Sequence, residues 1–216
     1  MNILAFDTCL DKMYVALGEN DKILASKIIE TTQSHYHSAF LVSTIRDILK
    51  ENNLTPQDIN AIATNIGPGS FTGIRACTTV ARVFAQANNC KAIGVSSLEI
   101  LSLLTSHFSP LTLVALDARK EMAYVAVYEG EKQIFEPQAI SIEKVKEMLA
   151  EKDYQIITDD KLQPILGGIS YLKQNDDLGK YLIQIVYKKL TDGDCETDWR
   201  KLHPLYIQPP AVNIKK

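Results

Sequence analysis

The sequence predicts an α/β chain of two lobes, each a mixed sheet with helices packed on it. Three observations carry that expectation. A glycine-rich loop, Gly67-Pro68-Gly69-Ser70-Phe71-Thr72-Gly73, lies between an apolar run at 61–66 that reads as a buried strand and a stretch at 74–88 that reads as a helix. The chain opens on Ile3-Leu4-Ala5-Phe6, closed by Asp7, and a comparable run, Leu113 to Leu116 closed by Asp117, opens the second half. Tyr14 and Tyr124 follow these aspartates at the same offset of 110 residues. Internal duplication explains this better than chance likeness of two amphipathic hairpins.

Residues 3–6, 13–17 and 22–29 read as three antiparallel strands, with a turn at Gly18-Glu19-Asn20-Asp21. Ser34 is placed to cap a helix from about His35 to Asn52. Thr55-Pro56-Gln57-Asp58 supplies a capping hydroxyl, a proline at the first helical position and an acid in the first turn. After the glycine loop and its helix come a strand at 92–95 and a helix through about Leu104, capped by Ser96 or Ser97. The second half repeats the strand pattern at 113–117, 124–127 and 133–135. A helix at 142–151, a strand at 154–158 and a helix at 181–190 follow, and the proline-broken tail 202–210 reads as extended. The lobes are expected at 1–106 and 107–216.

Hydrophobic residues make up 46% of the 216 and charged residues 23%, the composition of a globular chain with a sizeable core. A net charge of −3 gives no basic excess to hold a nucleic-acid backbone unaided. Cys9, Cys77, Cys90 and Cys195 are far apart and form no metal-type pairs, so they read as reduced thiols and no metal is expected. With no basic leader or long apolar segment, the chain is expected to be cytoplasmic.

A strand, a glycine turn and a helix N-terminus form an anion cradle in principle. This loop lacks the Lys-Ser/Thr pair of a Walker A motif and the spacing of a dinucleotide fingerprint. A duplicated, hairpin-first α/β chain with a glycine loop suggests duplicated actin/sugar-kinase/Hsp70-like, ribonuclease H-like lobes. There Asp7, Thr8, Gly67, Gly69, Gly73 and Asp117 would line a vestigial nucleotide cleft. Neither hairpin turn contains a glycine, which hinders phosphate approach, and each aspartate can equally end its strand by satisfying local N–H groups. His35 and His37 are two apart and unlike a zinc-protease pair, and Ser70 is not in a nucleophile elbow. No catalytic residue is expected.

On the first long helix Leu41, Ile45, Ile48 and Leu49 form the core face, with Phe40 and Thr44 off it. On the second, Ile74, Cys77, Ala81, Phe84 and Ala85 form one apolar arc. Ala76, Val80, Val83 and Ala87 widen it to about twice what one packing face needs. Either the same chain covers both sides, or the second arc meets another protein, with Phe40, Thr44, Ala76, Val80, Val83 and Ala87 as its interface.

These residues resemble the TsaB, or YeaZ, family. The matching pieces are Ile3-Leu4-Ala5-Phe6-Asp7-Thr8, His37-Ser38-x-x-Leu41, the nonapeptide from Gly67 to Arg75, Gly94-Val95-Ser96-Ser97-Leu98 and Leu116-Asp117-Ala118-Arg119. The ending Pro204-Leu205-Tyr206-Ile207 also matches, with Gln208 where an Arg is usual, while 150–200 matches faintly. The resemblance implies a bacterial, non-catalytic subunit in N6-threonylcarbamoyladenosine formation at position 37 of tRNA. It implies pairing with the catalytic paralogue TsaD through the two helices, with TsaE joining the complex and tRNA reached only through it. A homodimer on the same surface is implied for the free chain, and ATP or ADP, if bound, is not turned over. The alternative is a nucleotide-dependent phosphotransferase using Asp7, the glycine loop and Asp117; a metallopeptidase is the least favoured reading.

Overall fold

The computed structural model describes residues 1–30, 37–105, 111–174, 176–193 and 195–208. The expected cap Ser34, the helix start at His35 and the end of the tail lie outside these residues. The chain divides into two compact units, Met1–Ile100 with Asn175–Pro204, and Leu101–Gln174 with the residues from Leu205 onward.

The first unit is built on strands β1 (Asn2–Asp7), β2 (Met13–Glu19), β3 (Lys22–Ile29), β4 (Ala61–Asn65) and β5 (Lys91–Val95). Their order is β3-β2-β1-β4-β5, antiparallel through the first three and parallel from β1 to β5. β1, β2 and β4 are almost wholly buried, as strands covered on both faces must be. Edge strand β3 mixes exposed and half-buried residues and carries Lys22 and Lys27, which discourage further pairing.

One face receives α1 (Leu41–Glu51) and α2 (Phe71–Asn88); Leu4, Phe6, Val15 and Ile62 of the sheet form a core there with Leu41, Ile45, Ile48, Ile74 and Cys77. The other receives α6 (Leu178–Asp192). Gly179 of α6 sits where a Cβ would lie 2.9 Å from that of Ala16, and Gly18 faces Ile183 just as closely. Small residues on both sides let helix and sheet touch. This corrects the expected lobes, which assigned 107–216 to the second. The apolar stripe Leu178, Leu182, Ile183, Ile185 and Val186 is buried in the first unit, and Trp199 and Leu202 pack against the α1–α2 core.

The second unit has β6 (Leu111–Asp117), β7 (Met122–Glu129), β8 (Lys132–Ser141), β9 (Gln155–Thr158) and β10 (Ile169–Ser170), in the order β10-β9-β6-β7-β8. Read from β8, this is the first sheet's order again, so the duplicated α/β sheet is present in both units, with shorter later elements in the second. Helix α4 (Ile142–Glu151) is capped by Ser141, whose Oγ accepts the Lys144 N–H at 3.2 Å, and it covers Val125, Val127 and Phe135 with Val145. The short α5 (Gln163–Leu166) ends on Gly167 and Gly168, both at positive φ. The Asp-to-Tyr repeat that signals the duplication is not in register, however. Asp7 pairs with Tyr14, whereas Asp117 pairs with Ala123 and Tyr124 faces Leu116. The second hairpin turn is one residue tighter, so Asp117 lies on the α4 face of its sheet with Ala123 while Tyr124, like Tyr14, lies on the face away from the helix that follows its hairpin. That turn carries Arg119, Lys120 and Glu121 in succession at positive φ.

Two helix starts differ from expectation. A 3-10 turn, His37–Phe40, precedes α1, which begins without a side-chain cap. α2 starts at Phe71 rather than Ile74, because Ser70 Oγ accepts the Gly73 N–H at 3.3 Å and so brings the end of the glycine loop into the first turn. Helix α3 (Ser97–Ser102) is capped by Ser96, whose Oγ accepts the Leu98 N–H at 3.2 Å. Among the described residues no helix is long and apolar enough to cross a membrane.

Candidate functional site

The glycine loop meets the turn between β1 and β2, and that contact explains its composition. A Cβ on Gly73 would lie 1.9 Å from the main-chain oxygen of Thr8, and one on Gly69 would lie 2.4 Å from that of Cys9. The loop closes on this turn through the Ser70 N–H, which donates to Cys9 O at 2.8 Å, and the Thr8 hydroxyl, which donates to Gly73 O at 3.0 Å. Gly67 N–H donates to Asn65 Oδ1 at 2.8 Å, and Ser97 ties the other side by donating to Asn65 Oδ1 and Pro68 O at 2.9 and 2.7 Å. The Gly67–Pro68 peptide is cis.

Gly67, Gly69 and Gly73 are thus brought together with Asp7 and Thr8, as the sequence suggested, but for a different purpose. Carbonyl oxygens stand over Gly69 and Gly73, where a phosphate cradle presents amides. The N–H groups of Gly67, Ser70 and Gly73 already have acceptors. The glycines serve close packing of backbone on backbone.

Asp7 is 2% exposed. Its Oδ1 accepts the Cys9 N–H at 2.6 Å, while Oδ2 has no hydrogen-bond partner among the described residues. Burial pushes its carboxyl up to about 6 against the opposing pull of the Cys9 N–H and the nearby Asn65 amide. The Asn65 Nδ2 is itself unpartnered, so its influence is electrostatic and not a formed bond. Burial, with the Asp7 charge adding to it, also pushes the phenol of Tyr14 upward.

Asp117 belongs to the second unit and is partly exposed. Its Oδ1 accepts the Arg119 N–H at 2.9 Å, the same two-residue reach that Asp7 makes to Cys9. Burial pulls its carboxyl up, but the Lys161 ammonium at 2.7 Å and the Arg119 N–H together outweigh that and hold it below the usual range. Both aspartates therefore act as strand ends that organise their turns.

The second candidate region is the outer face of α1 and α2. Phe40, Val83 and Ala87 are exposed, Val83 at 60%, while Ala76 and Val80 are half-buried and Val80 leans on the core. Thr44 is a correction, being only 7% exposed. It lies in the stripe Leu41, Thr44, Ile45, Ile48, whose spacing of three and four places it inward. The sequence reading missed Val42, 64% exposed, although an apolar residue off the core stripe was the available signal. Beside it a groove of about 430 Å³ is lined by Val42, Ile45, Leu49, Leu54, Pro56 and Phe84. At the start of α2 the Arg75 guanidinium lies 5.2 Å over the exposed Phe71 ring, and at its far end Arg82 reaches toward Trp199.

The repeated strand order and the helices on it define the class, a duplicated actin/sugar-kinase-type α/β protein. A family model described as TsaD, tRNA N6-adenosine threonylcarbamoyltransferase, matches residues 22–165. The tRNA threonylcarbamoyladenosine biosynthesis protein TsaB of Bacillus subtilis is 32% identical over 161 residues, 73% of this chain and 69% of that protein. The Escherichia coli protein of the same name is 32% identical over 131 residues, covering 60% of this chain and 55% of the relative. The solved structure of YeaZ from Pseudomonas aeruginosa superposes with a TM-score of 0.75 at 20% identity, over 95% of this chain and 99% of that one. A second structure, of an uncharacterized protein with similarity to the peptidase YeaZ, gives 0.77 at 22% identity, over 96% and 99%. The chain belongs to the TsaB/YeaZ family.

Proposed function

We propose that this chain is a non-catalytic subunit in the formation of N6-threonylcarbamoyladenosine at position 37 of tRNA, and that it docks a TsaD-type partner on the outer face of α1 and α2. One observation carries the reading. The apolar surface of Phe40, Val42, Val83 and Ala87 stays exposed beside the groove of Leu49 and Phe84, although α6, Trp199 and the sheet already give this unit a closed core. Surface of this kind on a folded unit marks a contact for another protein. A standard interface buries about 800 Å² per partner, which two adjacent helices can supply.

The relatives' names place them in threonylcarbamoyladenosine biosynthesis, and family membership extends that role to this chain as the natural expectation. Against catalysis by this chain itself, Asp7 is buried and the main-chain oxygens of Thr8 and Cys9 stand close over Gly73 and Gly69, where a phosphate cradle would present amides. TsaE joins through TsaD, tRNA is met only through the complex, and the free chain self-associates on the same face. All of this takes place in the cytoplasm.

The test is Val83→Glu. The residue is exposed, so the monomer should unfold within about 0.5 kcal/mol of wild type. In the complex the new carboxylate would be desolvated without a partner, and calorimetric binding to the TsaD paralogue should be lost. Equal affinity of variant and wild type would overturn the docking face. Modified adenosine formed at full rate by TsaD and TsaE without this chain would overturn the subunit role.

A further inference from the structure

We propose that Asp7, Cys9 and Cys77 form a closed binding site for a zinc-class divalent cation, pinning the β1–β2 turn to α2. Sixty-eight residues separate the two cysteines in sequence, which is why their spacing suggests no metal. The fold removes that separation. A carboxylate oxygen of Asp7 and the Sγ atoms of Cys9 and Cys77 all lie within 4.8 Å of one another, and all three residues are buried. A tetrahedral zinc, with sulfur at about 2.3 Å and oxygen at about 2.0 Å, brings its ligand atoms to roughly 3.3–3.8 Å apart. From separations of at most 4.8 Å the cluster needs to close by no more than about 1–1.5 Å, within reach of side-chain torsions.

An independent observation points to a ligand. Asp7 Oδ2 is a fully buried oxygen with no hydrogen-bond partner among the described residues, and the Asn65 Nδ2 next to it is in the same condition. Native interiors rarely leave such atoms unmatched. A cation bound by the carboxylate satisfies the first and orients the oxygen that the second can donate to. Cys77 Sγ already accepts the Thr8 N–H at 3.1 Å, the kind of second contact that fixes a ligating sulfur. Oxygen for a fourth position is close, either Asn65 O, 3.3 Å from Cys9 Sγ, or Thr8 Oγ1, 3.2 Å from Cys77 Sγ. Two sulfurs with oxygen donors select zinc over magnesium or calcium, which take oxygen alone. With no exposed ligand the site is structural: both thiols lose their protons to solvent as the metal enters, and the gain is a fixed α2.

The experiment uses the full chain, kept reduced with a phosphine, stripped by chelator and titrated with Zn²⁺ against a chromophoric competitor. One equivalent should bind. Cys9→Ser, Cys77→Ser and Asp7→Asn should each weaken it by about 100-fold or more, and Cys90→Ser should not. Co²⁺ in place of Zn²⁺ should give sulfur-to-metal charge-transfer absorption. Should a cysteine variant fail to fold, alkylation of wild type in enough urea to make Cys9 and Cys77 react in the stripped chain, mapped by mass spectrometry, decides the matter. Zn²⁺ should shield Cys9 and Cys77 and leave Cys90 and Cys195 as reactive as before. Absence of stoichiometric binding, equal affinity in Cys77→Ser, or zinc that shields no cysteine of this pair would overturn the site.

Discussion

Replacing Asp7 by Asn should flatten the pH dependence of stability. The Asp7 carboxyl titrates at about 6 in the folded chain against an ordinary 3.8, because burial outweighs the stabilising Cys9 N–H and Asn65 amide. Between those values the folded state holds a proton that the unfolded state has released. Stability therefore falls as pH rises through this window, the reverse of a salt-bridged carboxylate. A shift of about two units at 1.36 kcal/mol each sets the loss at about 3 kcal/mol, complete above pH 6. Asn keeps an oxygen for the Cys9 N–H and has no charge to desolvate. Whatever its amide costs is the same at every pH, so the slope carries the result and the absolute offset does not. Urea unfolding of both proteins from pH 4 to 8, with a chelator present, should show a difference that grows in favour of the variant by about 3 kcal/mol. Carboxylates of opposite behaviour, Asp117 among them, are shared and cancel. Parallel profiles from pH 4 to 7 would refute the claim that Asp7 is a desolvated acid.

Gly73→Ala inverts the usual helix rule. Alanine inside a helix normally stabilises by about 1 kcal/mol, but here its Cβ meets Thr8 O at 1.9 Å, so thermal unfolding should show a loss of about 3 kcal/mol. Ser97→Ala removes the hydroxyl that donates to Asn65 Oδ1 and Pro68 O, both buried, and should cost about 1–3 kcal/mol in denaturant unfolding. Lys161→Ala should let the Asp117 carboxyl rise toward its ordinary range, followed by carboxylate NMR titration. With Lys161 74% exposed, the stability change should stay below about 1 kcal/mol.

Local chemistry made much of the fold legible in the chain itself. The strand β3 at 22–29 and the helix α4 at 142–151 fall where hydrophobic period and turn residues place them. The duplication shows because each half must bury the same kind of sheet. The core stripe Leu41, Ile45, Ile48, Leu49 and the surplus apolar arc of α2 follow from 100° per residue alone. Three things depended on partners distant in sequence. α6 joins the first sheet because Gly179 and Ile183 fit against Ala16 and Gly18, a match between surfaces some 160 residues apart that no local pattern encodes. The glycines of the loop read as a phosphate cradle until Thr8 and Cys9 are seen to occupy the space they leave, since a missing Cβ states only that something comes close. Cys9 and Cys77 read as unrelated thiols until β1 and α2 are packed side by side. Periodicity reports which way a residue faces; only the assembled backbone decides what it faces.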